Sequence, residues 1–77
     1  MNVQVCLLGG LSRFTSGRAQ LDVVLNYSNT VDNVLRKLKI PNKEVLSIFI
    51  NQKLVINKEV VLKEGDKIVF LPVVGGG

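Results

Sequence analysis

Histidine is absent from this chain of 77 residues, and cysteine occurs once, as Cys6. Without an imidazole the commonest general base near neutral pH is missing, and no serine or cysteine has an activating histidine within the chain. Self-contained catalysis is therefore not expected. A single cysteine closes no internal disulfide, and no second cysteine or histidine is present to build a metal site with it. The simple inference is a reducing, cytoplasmic home. Cys6 itself falls inside a strand-like segment, where a free thiol acts as a small buried hydrophobe and not as a persulfide holder. Aromatics are few, namely Phe14, Phe49, Phe70 and Tyr27. The lysines are scattered and form no stripe, so the net charge of +4 reads as a solvated basic surface and nucleic acid is an unlikely partner. Long apolar runs are missing as well. None approaches the ~18 residues that span a bilayer, and the N-terminus lacks the basic start and apolar centre of a signal peptide. No membrane partner is expected.

What is present suits one small globular domain. Hydrophobic residues make up 47% and charged residues 21% of the chain, which separates it from disordered sequences. Val3, Val5 and Leu7 fall on one face at period two and predict a first strand over 3–8. Residues 9–17, bounded by glycines and rich in small polar side chains, predict a mobile hairpin loop. Gly9-Gly10 invites a phosphate-binding reading, but no Lys-Ser/Thr pair follows at the required spacing and Gly17 is too distant. Residues 19–27 alternate again, with Leu21, Val23 and Leu25 on one face, and predict a second strand antiparallel to the first.

Ser28-Asn29-Thr30 supplies a cap, and Val31, Val34, Leu35 and Leu38 fall at i, i+3, i+4 and i+7, predicting an amphipathic helix of about two turns. Asp32 lies near its N-terminal end, with Arg36, Lys37 and Lys39 toward its C-terminal end, as the helix dipole favours. Asp32 and Arg36 are spaced to pair, and Ile40-Pro41 stops the helix. A single turn over 42–45 leads to the β-branched and aromatic stretch 46–50, read as a central strand. Asn51-Gln52-Lys53 turns the chain into a short strand over 54–56. After Val60-Val61-Leu62 and the turn Lys63-Glu64-Gly65-Asp66 comes the last strand, 67–71. Ile68 and Phe70 occupy one of its faces, Val69 and Leu71 the other. With both faces apolar, this strand is expected to meet the helix on one side and something outside the domain on the other. Pro72 ends it.

The order of elements predicts an α+β domain over residues 1–72, a mixed sheet of four to five strands with one main helix packed on one face, followed by a flexible tail, 73–77. For the last strand to lie beside the first, the two must run parallel, with the helix inside the crossover.

This order is that of the ubiquitin-like β-grasp fold, and the chain resembles the sulfur carriers within it: the small subunit of molybdopterin synthase and the carrier of thiamine thiazole synthesis. The resemblance covers the whole chain. It rests on the first strand leading into a glycine-containing loop with Arg13 and Phe14, on the helix start Thr30-Val31-Asp32-Asn33-Val34-Leu35, and on the turn Ile50-Asn51-Gln52-Lys53-Leu54-Val55. It rests above all on the ending, from Leu62 through Gly65-Asp66, the apolar strand and Pro72 to Gly75-Gly76-Gly77. Such carriers end in two glycines after a small residue. Gly75 takes that place here, leaving Gly76-Gly77 as the functional pair, with Gly75-Gly76 plus one trimmed residue as the rival register.

The resemblance implies a carrier or cosubstrate, not an enzyme. The Gly77 carboxylate is unreactive until an ATP-dependent adenylating partner converts it to an acyl adenylate; sulfur then displaces AMP and leaves a thiocarboxylate that a sulfur-accepting synthase subunit consumes. No cofactor is bound by the carrier itself. Glycines suit the task because, lacking Cβ, they thread a narrow site at backbone angles closed to other residues. The six residues from Pro72 reach roughly 20 Å when extended. Family analogy puts the partner-binding surface at Leu54, Leu71 and Pro72, with Phe14 and Gly75. Two other functions fit the same domain: a ubiquitin-like modifier joined to target lysines through Gly77, and an RNA-binding module drawn on by the positive charge. Lys43 and Lys53 are conjugation candidates that nothing singles out.

Overall fold

The computed structural model describes residues 1–26 and 29–73. Tyr27, Ser28, Val74, Gly75, Gly76 and Gly77 lie outside the described residues, and with them one end of the expected second strand, part of the expected cap and the terminal glycines.

Five strands form one mixed sheet: β1 (Asn2–Leu7), β2 (Gln20–Val24), β3 (Val45–Ile50), β4 (Lys53–Val55) and β5 (Lys67–Pro72), in the order β2-β1-β5-β3-β4. β1 pairs antiparallel with β2 and parallel with β5, and β3 pairs antiparallel with β5 and β4. The architecture is the ubiquitin-like β-grasp. β3 is an interior strand as read, paired on both sides by β5 and β4, and β5 stands at the middle of the five. The parallel β1–β5 pair requires a long crossover, and helix α1 (Val31–Leu38) lies within it, so the C-terminal strand is inserted between the two hairpins.

Alternation places Val3, Val5 and Leu7 of β1, Val23 of β2 and Ile68 and Phe70 of β5 on one face, all at most 4% exposed. Val31, Val34 and Leu35 of α1 close over them and are buried to a similar degree. Thr30 caps the helix, its hydroxyl accepting the Asn33 N–H at 3.2 Å, which satisfies one of the free donors of the first turn. The stop comes before Pro41. Lys39 adopts the left-handed conformation at φ 60° and donates its N–H to the Arg36 carbonyl. Ile40 N–H then reaches the Leu35 carbonyl at 2.9 Å, and the Ile40 side chain turns into the core. This pair of reverse bonds is a helix-terminating motif in its own right. Asp32 and Arg36 pair at 3.0 Å as their spacing predicts.

One expectation is corrected, over residues 9–17. In place of an irregular loop, Gly9–Thr15 forms a 3₁₀ helix, and Leu11 is fully buried against the core. A second, three-residue 3₁₀ helix, Asn42–Glu44, precedes β3. Between β4 and β5, Val61 makes an isolated bridge to Thr30, and Leu62 is buried beneath it. Pro72 is the last residue of β5 and stands opposite Val45 of β3, so the strand extends one residue further than expected.

Candidate functional site

The face of the sheet away from α1 has no element of the described chain over it, and β5 sets its character. Val69 and Leu71 point to this side because Ile68 and Phe70 point to the core. Cross-strand register extends the apolar surface: Cys6 stands opposite Val69, Val69 opposite Phe49, and Phe49 opposite Leu54. Directly opposed residues share a face, so one row crosses β1, β5, β3 and β4. Leu8 and Leu71 lie one step further along. A shallow depression of about 760 Å³ runs over this surface, lined by Leu8, Phe49, Asn51, Gln52, Lys67, Val69 and Leu71. Leu8 is 41% and Leu54 60% exposed. A contiguous apolar surface with a polar rim marks an interaction site more strongly than isolated exposed hydrophobes do.

Leu54 and Leu71 therefore belong to one surface, joined through Phe49. Phe14 does not. It packs against the buried core on the helix side and lines a separate hollow with Leu21, Leu38 and Lys39, its ring 4.4 Å beneath the Arg13 guanidinium. Arg18, Lys37 and Lys39 gather around that hollow, so three of the scattered cations meet in space. Phe49 and Leu8 are the members of the open surface that sequence reasoning missed. Both were readable from alternation, Phe49 with the buried Ile48 and Leu8 with the buried Leu7. Cys6 is half-buried on the open face, where it lines a hollow with Gln4, Gln20, Asp22 and Lys67; it is not the buried core residue expected of it.

Pro72 and Val73 leave the sheet at the edge of this surface, held from two sides. On one, the Gly9 backbone at φ +57° abuts the proline so closely that a Cβ on residue 9 would lie 2.6 Å from Pro72 Cγ. On the other, the Val73 N–H donates to the Glu44 carbonyl at 3.1 Å. The two flanking 3₁₀ helices are tied together by Arg13, whose Nη2 meets Glu44 Oε1 at 2.7 Å while Nη1 donates to the Gly10 carbonyl at 2.8 Å. The described residues contain no cluster of three or more His, Cys, Asp or Glu side chains able to hold a metal. None of their helices is long and apolar enough to cross a membrane.

Residues 6–77 match the model of the ThiS family. No match to the chain is found among curated proteins. Among solved structures it is similar to the complex of subunits 1 and 2 of the molybdopterin-converting factor from Helicobacter pylori, at 28% identity and a TM-score of 0.68 with 100% of each chain covered. It is similar to small archaeal modifier protein 1 from Methanosarcina acetivorans, at 26% identity and a TM-score of 0.72, covering 99% of this chain and 96% of that one. SAMP1 from Haloferax volcanii shares the fold at 16% identity, with a TM-score of 0.72 and full coverage of both chains.

Proposed function

We propose that this chain, which belongs to the ThiS family, is a cytoplasmic sulfur carrier for cofactor biosynthesis of the molybdopterin or thiamine type, working as a cosubstrate and not as an enzyme. The observation that carries the reading is the reach of the family match: it continues through Gly75 and Gly76 to Gly77.

The chemistry resides in one carboxyl group. With an ordinary pKa of about 3.3–3.7, an α-carboxylate is ionised and unreactive toward nucleophiles at neutral pH. A partner enzyme supplies ATP; a Gly77 carboxylate oxygen attacks its α-phosphorus, pyrophosphate departs, and an acyl adenylate remains. Hydrosulfide then adds to the acyl carbon, AMP leaves with the bridging oxygen, and a proton is lost to give the thiocarboxylate. That sulfur is a strong nucleophile. In the synthase it attacks the acceptor substrate, after which water cleaves the acyl–sulfur bond and restores the carboxylate. The carrier's own residues supply reach and recognition: Gly75 and Gly76 add no side chains to a narrow passage, and docking of the open face offsets the entropy lost when the tail is ordered. Likeness to the molybdopterin-converting factor complex supports a synthase subunit as one occupant of that face.

A second reading is favoured by the likeness to small archaeal modifier protein 1: conjugation of Gly77 to target lysines after the same adenylation. Intact-mass measurement after incubation with ATP, sulfide and the cognate activating enzyme tests the carrier reading. Replacement of one oxygen by one sulfur supports it, and an unchanged mass with an enzyme competent in pyrophosphate release overturns it. A ladder of lysine-linked products in cell extract, with no thiocarboxylate on the free protein, establishes the modifier instead.

A further inference from the structure

We infer that Arg13 and Glu44 are positioning residues for the tail, forming with Gly9 a collar that fixes the direction in which the chain leaves β5. The inference rests on the carrier reading and adds to it a device on the protein's own body. Three contacts converge within two residues of the strand end: Gly9 against Pro72, the Glu44 carbonyl on the Val73 N–H, and the Arg13–Glu44 pair at 2.7 Å joining the segments on either side. The second hydrogen bond of Arg13, to the Gly10 carbonyl, ties the guanidinium to the same 3₁₀ helix that carries Gly9. A planar fork with two fixed donors suits this bridging better than a lysine ammonium.

The Arg13–Glu44 pair is not needed to close the core. Arg13 retains 54% of its side-chain exposure and Glu44 32%, and exposed ion pairs of this kind contribute little to stability. Their position gives them another effect. A partner docked on Leu54, Phe49 and Leu71 has to receive the tail along one line. With the root at Pro72 and Val73 already directed, that part of the ordering is complete before the encounter. Since the open face binds the partner, release of the collar is read after docking, in the turnover of the bound complex.

The test uses the full chain as Arg13→Ala, Glu44→Ala and the double variant, assayed for pyrophosphate release by the cognate activating enzyme. Each single variant is expected to lower kcat by about tenfold, the factor for re-ordering roughly one backbone residue. KM for the carrier and the melting temperature stay near wild type, and the double variant loses no more than Arg13→Ala alone. An unchanged kcat, a loss that tracks the melting temperature, or additive losses in the double variant overturns the inference. Hydrogen exchange of the Val73 amide reads the collar without any partner. Exchange that quickens about tenfold in Arg13→Ala supports it, and unchanged exchange overturns it. If wild type is never adenylated the carrier reading falls, while this amide still decides the collar.

Discussion

Asn51 and Asp66 are hydrogen-bonded to each other, Nδ2 to Oδ1 at 2.9 Å, although one lies in the β3–β4 turn and the other in the turn before β5. Asn51 also accepts the Lys67 N–H and donates its own N–H to the Lys67 carbonyl, while Asp66 Oδ2 accepts the Lys63 N–H. The turns that the sequence presents separately are one structure. It holds the start of the middle strand in register with its antiparallel neighbour.

Because the two side chains serve one network, their removal is expected to be non-additive. Asn51→Ala and Asp66→Ala should each cost about 1–2 kcal/mol, and the double variant clearly less than their sum. Denaturant titrations of the four proteins measure the coupling. Strict additivity contradicts a shared network.

Asn51 and Gln52 both have positive φ, at 50° and 73°, the backbone of a tight hairpin turn that favours Asn-Gly. Left-handed geometry costs a residue with a side chain roughly 1–2 kcal/mol, part of which glycine forfeits through its own entropy. Gln52→Gly is therefore expected to raise stability by about 0.5–1 kcal/mol. A lowered denaturation midpoint rules this out.

Residue 9 is the opposite case, a position that needs its glycine. A methyl group there has to occupy space 2.6 Å from Pro72 Cγ, at φ +57°, so both the packing and the backbone resist it. Gly9→Ala should lower stability by about 1–3 kcal/mol, whereas Gly17→Ala, where a Cβ meets nothing within 4 Å, carries only the backbone cost. Similar melting temperatures for the two variants contradict the contact with Pro72.

Leu54 and Phe14 lie on opposite sides of the sheet, and that separates their expected effects. Leu54→Glu, at a position 60% exposed, should leave the melting temperature nearly unchanged. It should weaken partner binding by about tenfold, the scale of a central interface residue. Phe14→Ser should lower stability by removing a ring packed on the core and leave KM alone. Isothermal titration with an activating enzyme, alongside thermal melts, distinguishes them. The reverse pattern places docking on the helix side.

Deletion of Gly77 should abolish sulfur loading and leave stability nearly unchanged, since the buried core of the described residues is built from residues 3–70. Intact-mass loading assays and thermal melts on the same preparation check both halves. Loading that survives the deletion favours the rival register, in which Gly75-Gly76 is the functional pair.

How far the sequence reaches depends on the distance over which each feature is encoded. The β1 alternation, the α1 stripe and the Thr30 cap are relations among residues at most seven apart, and each appears in the fold as read. The two-sided apolar pattern of β5 likewise announced an open face holding Val69 and Leu71. Periodicity says nothing about which strand lies beside which, so the place of β5 at the middle and the union of Phe49 with Leu71 came from topology. Phe14 shows the same boundary. Its residue type suits a docking surface, but the 3₁₀ helix that carries it folds toward α1, because Leu11 in that helix enters the core.

The tail root marks the division most sharply. From the sequence came the glycines that end the chain and the proline that precedes them, because backbone freedom and its loss are properties of single residues. Only the tertiary structure brought Gly9, Arg13 and Glu44 to that proline. Arg13 and Glu44 are separated by 31 positions, and no local pattern encodes a contact that exists only once β5 has been inserted between β1 and β3.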